Sequence, residues 1–529
     1  MSIAAEAGTS DASRQDDLTL RYGSPSTRRS MTKILATLGP STDGREMIRK
    51  LVENGVSLFR LNFSHGSFKD HAQRLGTVRA VADEMTRALA VVGDLPGPKI
   101  RVTRVPDGGI TVAAGRDIIF RRGVPEAMAE ETPVFGCTYE RLIEEAEPGH
   151  RVLINDGAIR ALVVDREEHQ GAFQLRCRVT TGGLISSSKG VNLPDSDISA
   201  PAITERDWEC VRWAVKHGLD YLALSFVRRA DEVIELKRGI AELSGLDPDE
   251  AAHGDAPRSE MTPVIAKIEK PQAVERIEEI VEAADGVMIA RGDLGVEMEL
   301  PLVPIIQKRI MAAARRHGTP CIVATQMLES MISNPAPTRA EVSDVANAIF
   351  DGADAVMLSG ETAVGAHPEL VVDLMRRVAL AAEDEVSAMP RRSTPPARLQ
   401  ESQHRLSALA HGVWHVANDI GATFVVCWSQ TGRSAQVLSQ IGLRVPIIAF
   451  SSDRRATRRM ALLGGVIPGF EPDPPTHRSD FAALIDRVLL ASGLARPGDR
   501  VVTLSGKPFG ISGVENTITV QILGSASPC

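Results

Sequence analysis

The chain has 529 residues, of which 43% are hydrophobic and 24% charged, with a formal net charge of -8. This length exceeds what one hydrophobic core fills, so roughly two to four domains are expected. No apolar run approaches the roughly 20 residues of a membrane helix, and the acidic balance gives no reason to expect a nucleic-acid partner. The amino-terminal stretch lacks an apolar signal core, so we predict a cytoplasmic protein without membrane association.

Two further site classes are excluded by motif. The six cysteines are scattered without any Cys-x-x-Cys pair, which argues against a disulfide framework and against a zinc site. The chain also lacks the GxxxxGK[ST] pattern, so a bound nucleotide is not held by a P-loop.

Residues 1–30 are rich in Ser, Ala, Asp and Arg and predict a disordered tail, with Met31 as an alternative start. Beyond it, short apolar runs alternate with segments of helical periodicity that end in Gly. Eight such units predict an α/β fold, a (β/α)8 TIM barrel built from residues 31–97 and 197–389, with its active site at the carboxyl ends of the strands. The predicted strands are Lys33–Leu38, Ser57–Phe63, Ala88–Asp94, Asp220–Phe226, Val264–Glu269, Gly286–Asp293, Pro320–Thr325 and Ala355–Ser359.

Residues 98–196 differ from the flanking barrel segments in their pattern of polar and apolar residues. The stretches GGITVAAGRDIIF, HRVLINDGAIRALVVD and AFQLRCRVTT alternate polar and apolar residues, as β strands do. We therefore predict a small β-barrel-like domain inserted after the third strand, with hinge-like connections. At the mouth of a barrel such a domain acts as a lid that excludes water, the alternative being a rigid decoration.

The carboxyl-terminal part predicts a separate α/β domain. Ser244–Glu260 is predicted to be an exposed loop and residues 390–402 an interdomain linker. Residues 403–529 then contain a helix from Leu406 to Asn418 and the strands FVVCWS, PIIAFSS, RVVTLSG and TITVQIL. The loop SQTGRS, Ser429–Ser434, lies between a strand and a helix start, where free backbone N–H groups suit a phosphate. An ordinary N-cap role for Ser434 is the alternative.

Four charges are predicted to meet at one edge of the barrel. Lys267 and Glu269 alternate along one strand end, and Arg291 and Asp293 along the next, so each pair shares a face. The carboxyl ends of neighbouring parallel strands lie together, where α/β proteins place ligands. Two carboxylates and two cations there indicate a divalent metal that holds an anionic, phosphorylated substrate. Structural salt bridges are the alternative.

Several stretches together resemble the pyruvate kinase family, from about residue 32 to residue 523. In the family's order they are TKILATLGPST, FRLNFSHG, DLPGPKIR, KGVNLP, VIAKIEK, MIARGDLG, ATQMLESMI, PTRAEVSDVANAIFDGADAVMLSGET and GISGVENT. The resemblance implies a barrel with a lid and a carboxyl-terminal regulatory domain. It also implies phosphoryl transfer from phosphoenolpyruvate to ADP, giving pyruvate and ATP.

The resemblance implies a role for each charged residue of the cluster. Glu269 and Asp293 would hold Mg²⁺ or Mn²⁺, and Lys267 would place positive charge at the moving phosphoryl group and the enolate oxygen. Arg60 would clamp the phosphate. The backbone at Gly292 and Asp293 would meet the substrate carboxylate, which leaves Arg291 a structural role.

Other residues match the family in the nucleotide and proton-transfer regions. Arg60, Asn62, His65 and the lid residue Lys189 resemble nucleotide contacts. Thr325 lies near the enolate carbon, where we expect it to position a water chain rather than act as the acid itself. An N-cap of a helix QMLESMI is the alternative for Thr325. Ser359 and Glu361 follow at the end of the eighth strand.

One departure from the family pattern concerns a monovalent cation. Potassium-dependent members resemble DTKGPEIR, whereas this chain reads DLPGPKIR. Lys99 of this chain stands where the potassium-dependent pattern has a glutamate. Its ammonium group can supply the charge of an alkali cation, so we predict that K⁺ is not required. The residues of this region are Asn62, Ser64, Asp94, Leu95 and Lys99. The alternatives to a cation role are turn-forming hydrogen bonds for Asn62 and Ser64 and a surface position for Lys99.

The kinase prediction has two alternatives, and a regulatory site is also predicted. A metal-dependent lyase on a related barrel and a catalytically silent metabolite-binding relative are the alternatives to a kinase. The family resemblance implies a homotetramer and a phosphorylated effector whose identity stays open. The predicted effector residues are Ser429, Thr431, Gly432, Arg433 and Ser434.

Overall fold

The fold is described from a computed structural model. It covers residues 29–525 except 170, 254–256, 258, 390–404, 507, 510 and 512. The predicted tail, up to residue 28, and the predicted linker 390–402 lie outside the described residues. No helix within the described ranges is long and apolar enough to cross a membrane.

Eight parallel strands close into a barrel in which each strand pairs with the next along the chain and the eighth with the first. The predicted barrel is therefore confirmed. Almost all strand residues are buried, since helices cover the outer face and side chains such as Leu35, Ile265 and Met288 fill the interior. Three residues of the second strand are half-buried. Their bounds are Lys33–Thr37, Val56–Asn62, Ala90–Asp94, Tyr221–Leu224, Val264–Ile268, Gly286–Ala290, Cys321–Ala324 and Ala355–Leu358.

The helices around the barrel begin at clear sequence signals. Ser67, Thr204 and Thr338 each accept a backbone N–H three residues on, from an aspartate or glutamate that bonds back. The region predicted to be a loop, Ser244–Glu260, contains a short helix, Pro248–His253, so that prediction was wrong there. The main helices are Arg45–Glu53, Phe68–Glu84, Glu205–Lys216, Ala230–Ser244, Pro271–Glu275, Ile277–Ala283, Val303–His317, Arg339–Phe350 and Pro368–Ala388. Further helical segments in the loops are Pro40–Thr42, Arg291–Glu297, Leu300–Leu302, Glu329–Ile332 and Gly360–Ala363.

The inserted segment forms a separate all-β unit, as predicted. It holds one six-stranded and one two-stranded sheet around its own apolar core. A single short helix, Leu142–Glu145, is described within it. The strands are Ile110–Val112, Asp117–Arg121, Val134–Phe135, Arg151–Ile154, Ile159–His169, Ala172–Thr181, Gly183–Ile185 and Val191–Asn192.

The carboxyl-terminal domain is a five-stranded sheet between helices, with only its last strand antiparallel. The sequence analysis identified four of these strands and missed Val466–Phe470 at the sheet edge. The strands are Phe424–Trp428, Ile447–Ser451, Val466–Phe470, Arg500–Gly506 and Glu515–Ile522. The helices are Arg405–Asp419, Arg433–Gln440, Arg454–Arg459, Met460–Leu462 and Arg478–Ala491.

This domain docks against the amino ends of the barrel strands. Lys33 Nζ donates to the Val466 carbonyl oxygen at 2.6 Å, and Arg458 Nε lies 2.7 Å from Asp220 Oδ1. The carboxyl ends of the strands, where the lid is inserted, are left for the candidate site.

Candidate active site

The candidate site is centred on Lys267, near the end of the fifth barrel strand. Its Nζ lies 2.9 Å from Glu269 Oε1 and 3.1 Å from Asp94 Oδ1, and it donates to Ser225 Oγ at 2.8 Å. All four residues are buried. The ends of the third, fourth and fifth strands therefore bring two carboxylates, a hydroxyl and an ammonium group to one point that is shielded from water.

The buried charges stabilise one another. Burial alone would lower the pKa of Lys267, but the carboxylates of Asp94 and Glu269 outweigh it, so this pKa lies above its ordinary value. Burial likewise opposes the ionisation of Asp94, yet Lys267 and Arg60 hold the pKa of its carboxyl below the usual value. Lys267 is thus a permanent cation at neutral pH.

Arg60 adds a second cation from the second strand. Its Nε lies 2.6 Å from Asp94 Oδ2, and its Nη1 donates to Thr37 Oγ1 at 3.2 Å. Only about one eighth of the Arg60 side chain is exposed, so the guanidinium is held in place rather than solvated. Asp94, predicted only for a cation region, is in fact the carboxylate shared by Arg60 and Lys267.

The predicted metal pair comes from two kinds of element. Glu269 follows the fifth strand, but Asp293 does not lie on a strand as predicted, because the sixth strand ends at Ala290 and a helix, Arg291–Glu297, begins. Burial and the charge of nearby Asp293 nonetheless raise the pKa of Glu269, against the lowering effect of Lys267.

Glu269 and Asp293 fit a divalent cation by their chemistry. Two hard carboxylates that repel each other gain from a shared Mg²⁺. In the described part of the chain no group of three or more His, Cys, Asp or Glu side chains is placed to hold a metal. A cation held by these two carboxylates alone would leave other coordination positions for substrate and water.

Backbone strain supports one of these ligands. Phe226, just after the fourth strand, has a φ of 56°, a value that non-glycine residues seldom adopt. In this conformation its N–H donates to Glu269 Oε2 at 2.7 Å. Strained residues of this kind cluster at active sites, where the surrounding structure holds them.

Thr325 lies in a second strained turn, with a φ of 68°. Its hydroxyl accepts a hydrogen bond from the Gly292 N–H at 2.7 Å and donates to the Ala324 carbonyl at 2.6 Å. The alternative N-cap role was wrong, because the next described helical segment is a short 3-10 turn, Glu329–Ile332, whose N-cap is Leu328. The hydroxyl instead joins the seventh strand to the helix that carries Asp293.

Arg291 points away from the cluster. Its Nη2 donates to the Thr325 carbonyl oxygen at 3.0 Å, and it pairs with Asp344 at 2.7 Å. The four-charge face predicted from strand alternation is therefore wrong for Arg291. This arginine supports the Thr325 turn from behind, in line with the structural role implied by the resemblance.

Ser359 supplies an unused hydroxyl at the end of the eighth strand. Its buried Oγ has no hydrogen-bond partner among the described protein atoms. Glu361 holds this turn, since it accepts the backbone N–H of Ser359 at 2.6 Å and of Leu328 at 3.2 Å. A buried hydroxyl without a partner is rare and indicates a ligand or water contact.

Within the predicted monovalent-cation region, Asn62 and Asp94 are register partners on the second and third strands. Asn62 Oδ1 accepts the Ser64 N–H at 3.1 Å, which is the alternative turn-forming bond, and Ser64 lies beyond the strand end. Leu95 is buried, and its carbonyl oxygen accepts from Ser225 Oγ at 2.6 Å. Lys99 is exposed and lines a cleft of about 570 Å³ between lid and barrel, together with Asp293 and four other polar or aromatic residues: Asn192, Phe226, Arg228 and Lys270.

Two of the four predicted nucleotide contacts, His65 and Lys189, do not belong to the buried charge cluster. His65 is exposed in the turn after the second strand, and Lys189 of the lid is half-buried. Sequence reasoning missed Ser225, which bonds Lys267, and also Lys270 and Arg228 in the cleft. Their position at or just beyond strand ends was the available signal.

The predicted effector loop lies far from this site, against the amino ends of the strands. Thr431 and Gly432 line a cavity of about 730 Å³ with barrel residues such as Tyr221 and Lys237. The N-cap alternative for Ser434 was wrong, because Gly432 caps a helix that begins at Arg433. The Ser434 hydroxyl instead donates to Glu515, and Ser429 Oγ accepts the Ala435 N–H at 3.2 Å.

A (β/α)8 barrel with an inserted β domain, and with two cations and several carboxylates clustered at the carboxyl ends of its strands, is typical of an enzyme that handles an anionic substrate. Two family models match the chain, the pyruvate kinase barrel domain over residues 29–372 and the pyruvate kinase alpha/beta domain over residues 407–521. The chain belongs to the pyruvate kinase family and is a phosphotransferase.

Curated relatives extend over nearly the whole chain. A pyruvate kinase of Corynebacterium glutamicum is 40% identical over 93% of this chain and 98% of its own length. A pyruvate kinase of Mycobacterium tuberculosis is 38% identical over 93% of this chain and 98% of its own length. The pyruvate kinase 2 of Synechocystis is 38% identical over 94% of this chain and 80% of its own length. Neither the lyase nor the silent relative is favoured by these matches.

Proposed function

We propose that the chain transfers the phosphoryl group of phosphoenolpyruvate to ADP, giving pyruvate and ATP, with Lys267 as the central catalytic residue. The observation that carries this proposal is the buried ammonium of Lys267 between Asp94 and Glu269. Negative charge moves to the enolate oxygen and the phosphoryl oxygens in such a reaction. A fixed cation beside them lowers the barrier because it needs no reorganisation.

Arg60 and the segment after the sixth strand orient the substrate. The guanidinium of Arg60 is already fixed by Asp94 and Thr37, and its remaining donors suit a phosphate. Gly292 and Asp293 are the proposed neighbours of the substrate carboxylate. Positioning of this kind supplies much of the catalysis in phosphoryl transfer.

Glu269 and Asp293 would hold Mg²⁺, or Mn²⁺ in its place. When bound, the cation neutralises phosphoryl and carboxylate oxygens of the substrate. Ser225 and Phe226 keep Lys267 and Glu269 in place for this task, since the Ser225 hydroxyl accepts from Lys267 and the Phe226 N–H donates to Glu269.

Thr325 and Ser359 serve the proton that the enolate gains at carbon. A threonine hydroxyl is too weak an acid to supply this proton unaided, so Thr325 positions a water instead. The partnerless Oγ of Ser359 is a second contact for substrate or water. Arg60, Asn62, His65 and Lys189 are the proposed nucleotide contacts, reached when the lid lies over the barrel.

We also propose that the reaction does not require K⁺. Both oxygens of Asp94 are already paired with cations, and Asn62 Oδ1 is occupied by a backbone N–H. Lys99 adds a further positive charge to the cleft. In buffer free of Na⁺ and K⁺, wild-type activity with Mg²⁺ should change little when K⁺ is added, whereas a rise of about tenfold would contradict the proposal.

Reversing the charge of residue 99 gives a second test of the proposal that K⁺ is not required. Lys99→Glu should create a dependence on K⁺, because it restores the carboxylate of the potassium-dependent pattern. Lys216→Glu, an exposed lysine on a barrel helix, is the matched control and should leave the K⁺ response unchanged.

The experiment for the main proposal is a coupled assay for pyruvate formed from phosphoenolpyruvate and ADP. Formation of pyruvate and ATP in equal amounts supports it. Pyruvate without ATP points to the lyase, and tight substrate binding without turnover points to the silent relative.

We propose that a phosphorylated effector binds at the Ser429–Ser434 loop. We also propose that the protein is a homotetramer with a cytoplasmic location. Arg433→Ala should abolish the shift that sugar monophosphates or AMP cause in the phosphoenolpyruvate saturation curve. If these compounds shift the curves of wild type and variant equally, the loop is not the effector site.

A further inference from the structure

One buried carboxylate near the site has no part in the mechanism above. Glu297 ends the helix Arg291–Glu297 and is 1% exposed. Its Oε1 accepts two hydrogen bonds, from Lys270 Nζ at 2.5 Å and from Asn192 Nδ2 at 2.7 Å. Its Oε2 has no partner among the described protein atoms. Burial of such a charge costs desolvation free energy, which its two hydrogen-bond partners must compensate.

The first partner belongs to the segment of one proposed metal ligand. Lys270 follows Glu269 directly in the chain. Its ammonium also lies 5.8 Å from the ring centroid of Phe226, the strained residue whose N–H holds the Glu269 carboxylate. A shift of Lys270 therefore acts on Glu269 in two ways, through the adjoining backbone and through Phe226.

The carboxylate itself belongs to the segment of the other proposed ligand. Glu297 follows Asp293 by four residues on the same helix. Residues at this spacing lie one above the other on one helix face. The pair Lys270–Glu297 thus fixes the chain just after Glu269 against the helix that carries Asp293.

The second partner comes from the lid. Asn192 lies on the strand Val191–Asn192, which pairs with Arg151–Ile154 in the six-stranded lid sheet. The lid also meets the same helix one residue earlier, since a Cβ added to Gly157 would lie 3.6 Å from Val296 Cγ1. A lid strand and a separate lid turn therefore both contact the helix that carries Asp293.

We propose that Glu297 is a positioning residue that couples the position of the lid to the geometry of the metal pair. With the lid seated, Asn192 holds Glu297, Glu297 holds Lys270, and Glu269 and Asp293 are kept at a fixed separation. With the lid raised, the carboxylate loses one of its two donors and the pair loosens. This inference rests on the proposed function, because it assigns the metal to Glu269 and Asp293.

The test uses Asn192→Ala, a lid variant that touches neither metal carboxylate, in the full chain. Mn²⁺ alone is titrated and followed by electron paramagnetic resonance, and backbone hydrogen exchange of residues 293–297 is measured in metal-free protein. We expect Mn²⁺ affinity to fall roughly tenfold, as for other residues that orient metal ligands, and exchange to speed up. The control Asn347→Ala removes an exposed amide that bonds only its own helix and should match wild type on both readouts.

Glu297→Gln serves as the second variant, since it keeps an acceptor for Asn192 but removes the charge opposite Lys270. It should weaken Mn²⁺ binding as well, with the pyruvate-forming rate reduced in kcat more than in KM for phosphoenolpyruvate. Wild-type Mn²⁺ affinity and wild-type exchange in Asn192→Ala would overturn the coupling, even if Glu297→Gln is impaired. A wild-type protein that binds Mn²⁺ but makes no pyruvate would instead refute the proposed function.

Discussion

The two ends of the same barrel bury charges in different ways. At the amino end, Asp220 accepts from Arg79, from the Val91 N–H and from Arg458 of the carboxyl-terminal domain. Asp354 likewise accepts from the Cys321 N–H and from Gln440. These charges are satisfied by backbone groups, by the docked domain and, for Asp220, by Arg79 of a barrel helix.

At the carboxyl end the charges satisfy mainly one another. Lys267, Asp94, Glu269 and Arg60 form one cluster beside an open cleft, with strained backbone at Phe226 and other nearby turns. The lesson is that burial of charge alone does not mark a catalytic site. What marks it is a set of charges that are compensated mainly by each other, next to a cavity and held by strained turns.

The largest expected effect is at the carboxyl end. Lys267→Met should lower kcat by roughly a hundredfold or more, because it removes the positive charge placed where negative charge develops. Steady-state kinetics in the coupled assay measure this. A variant that keeps more than about a tenth of wild-type kcat would show that Lys267 is not the central cation.

The matched change at the amino end should act on stability instead. Asp220→Asn leaves Arg79 and Arg458 without their shared carboxylate, which should cost about 3 kcal/mol in the free energy of unfolding. Its kcat should stay within about twofold of wild type, since the site lies at the other end of the strands. Urea unfolding and kinetics on the same preparation separate the two effects, and a loss of kcat without a loss of stability would erase the contrast between the ends.

A smaller effect is expected at the strained turn of the seventh strand. Thr325→Val removes the hydroxyl and should lower kcat roughly tenfold, whereas Thr325→Ser keeps it and should stay within about threefold. Exchange of the pyruvate methyl protons with deuterated solvent, followed by NMR, should slow in the valine variant only. Thr77→Val, whose hydroxyl bonds its own helix, is the control. Equal exchange rates in the serine and valine variants would exclude a role for the hydroxyl in positioning water.

The smallest effect is a shift in a pH profile. The metal needs an ionised Glu269, whose pKa is raised, so Mn²⁺ affinity should fall with decreasing pH in a window above the ordinary value of 4.5. Lys267 lowers the pKa of Glu269, so Lys267→Met should move this window to higher pH. Mn²⁺ titrations from about pH 5 to about pH 8 measure both. A window that moves to lower pH would contradict the electrostatic account.

Much of this architecture was predictable from sequence, because hydrophobic periodicity reports burial directly. All eight barrel strands, the inserted β unit and the positions of Lys267 and Glu269 at a strand end followed from that pattern. The segment after Ala290 was not predictable, since a strand end and a helix start look alike when charged residues follow an apolar run. Val466–Phe470 was missed because its Pro and Gly indicate a turn, although an edge strand tolerates them.

Contacts between distant segments were also beyond the sequence. The sequence spacing of Asn192, Lys270 and Glu297 does not show that the Glu297 carboxylate accepts hydrogen bonds from both other residues. The shared role of Asp94 between Arg60 and Lys267 likewise depends on which strands are neighbours in the closed barrel. Local patterns specify elements, whereas the identity of paired charges is set by packing.

The most direct test of the central claim is the rate of pyruvate formation from phosphoenolpyruvate and ADP by wild-type enzyme stripped of metal and then reloaded. The charge cluster at the carboxyl end predicts no turnover after stripping, and full turnover, with one ATP per pyruvate, once Mg²⁺ or Mn²⁺ is restored. Undiminished turnover in the stripped enzyme, or pyruvate release without ATP after reloading, would contradict the assignment of Lys267, Glu269 and Asp293 to metal-assisted phosphoryl transfer.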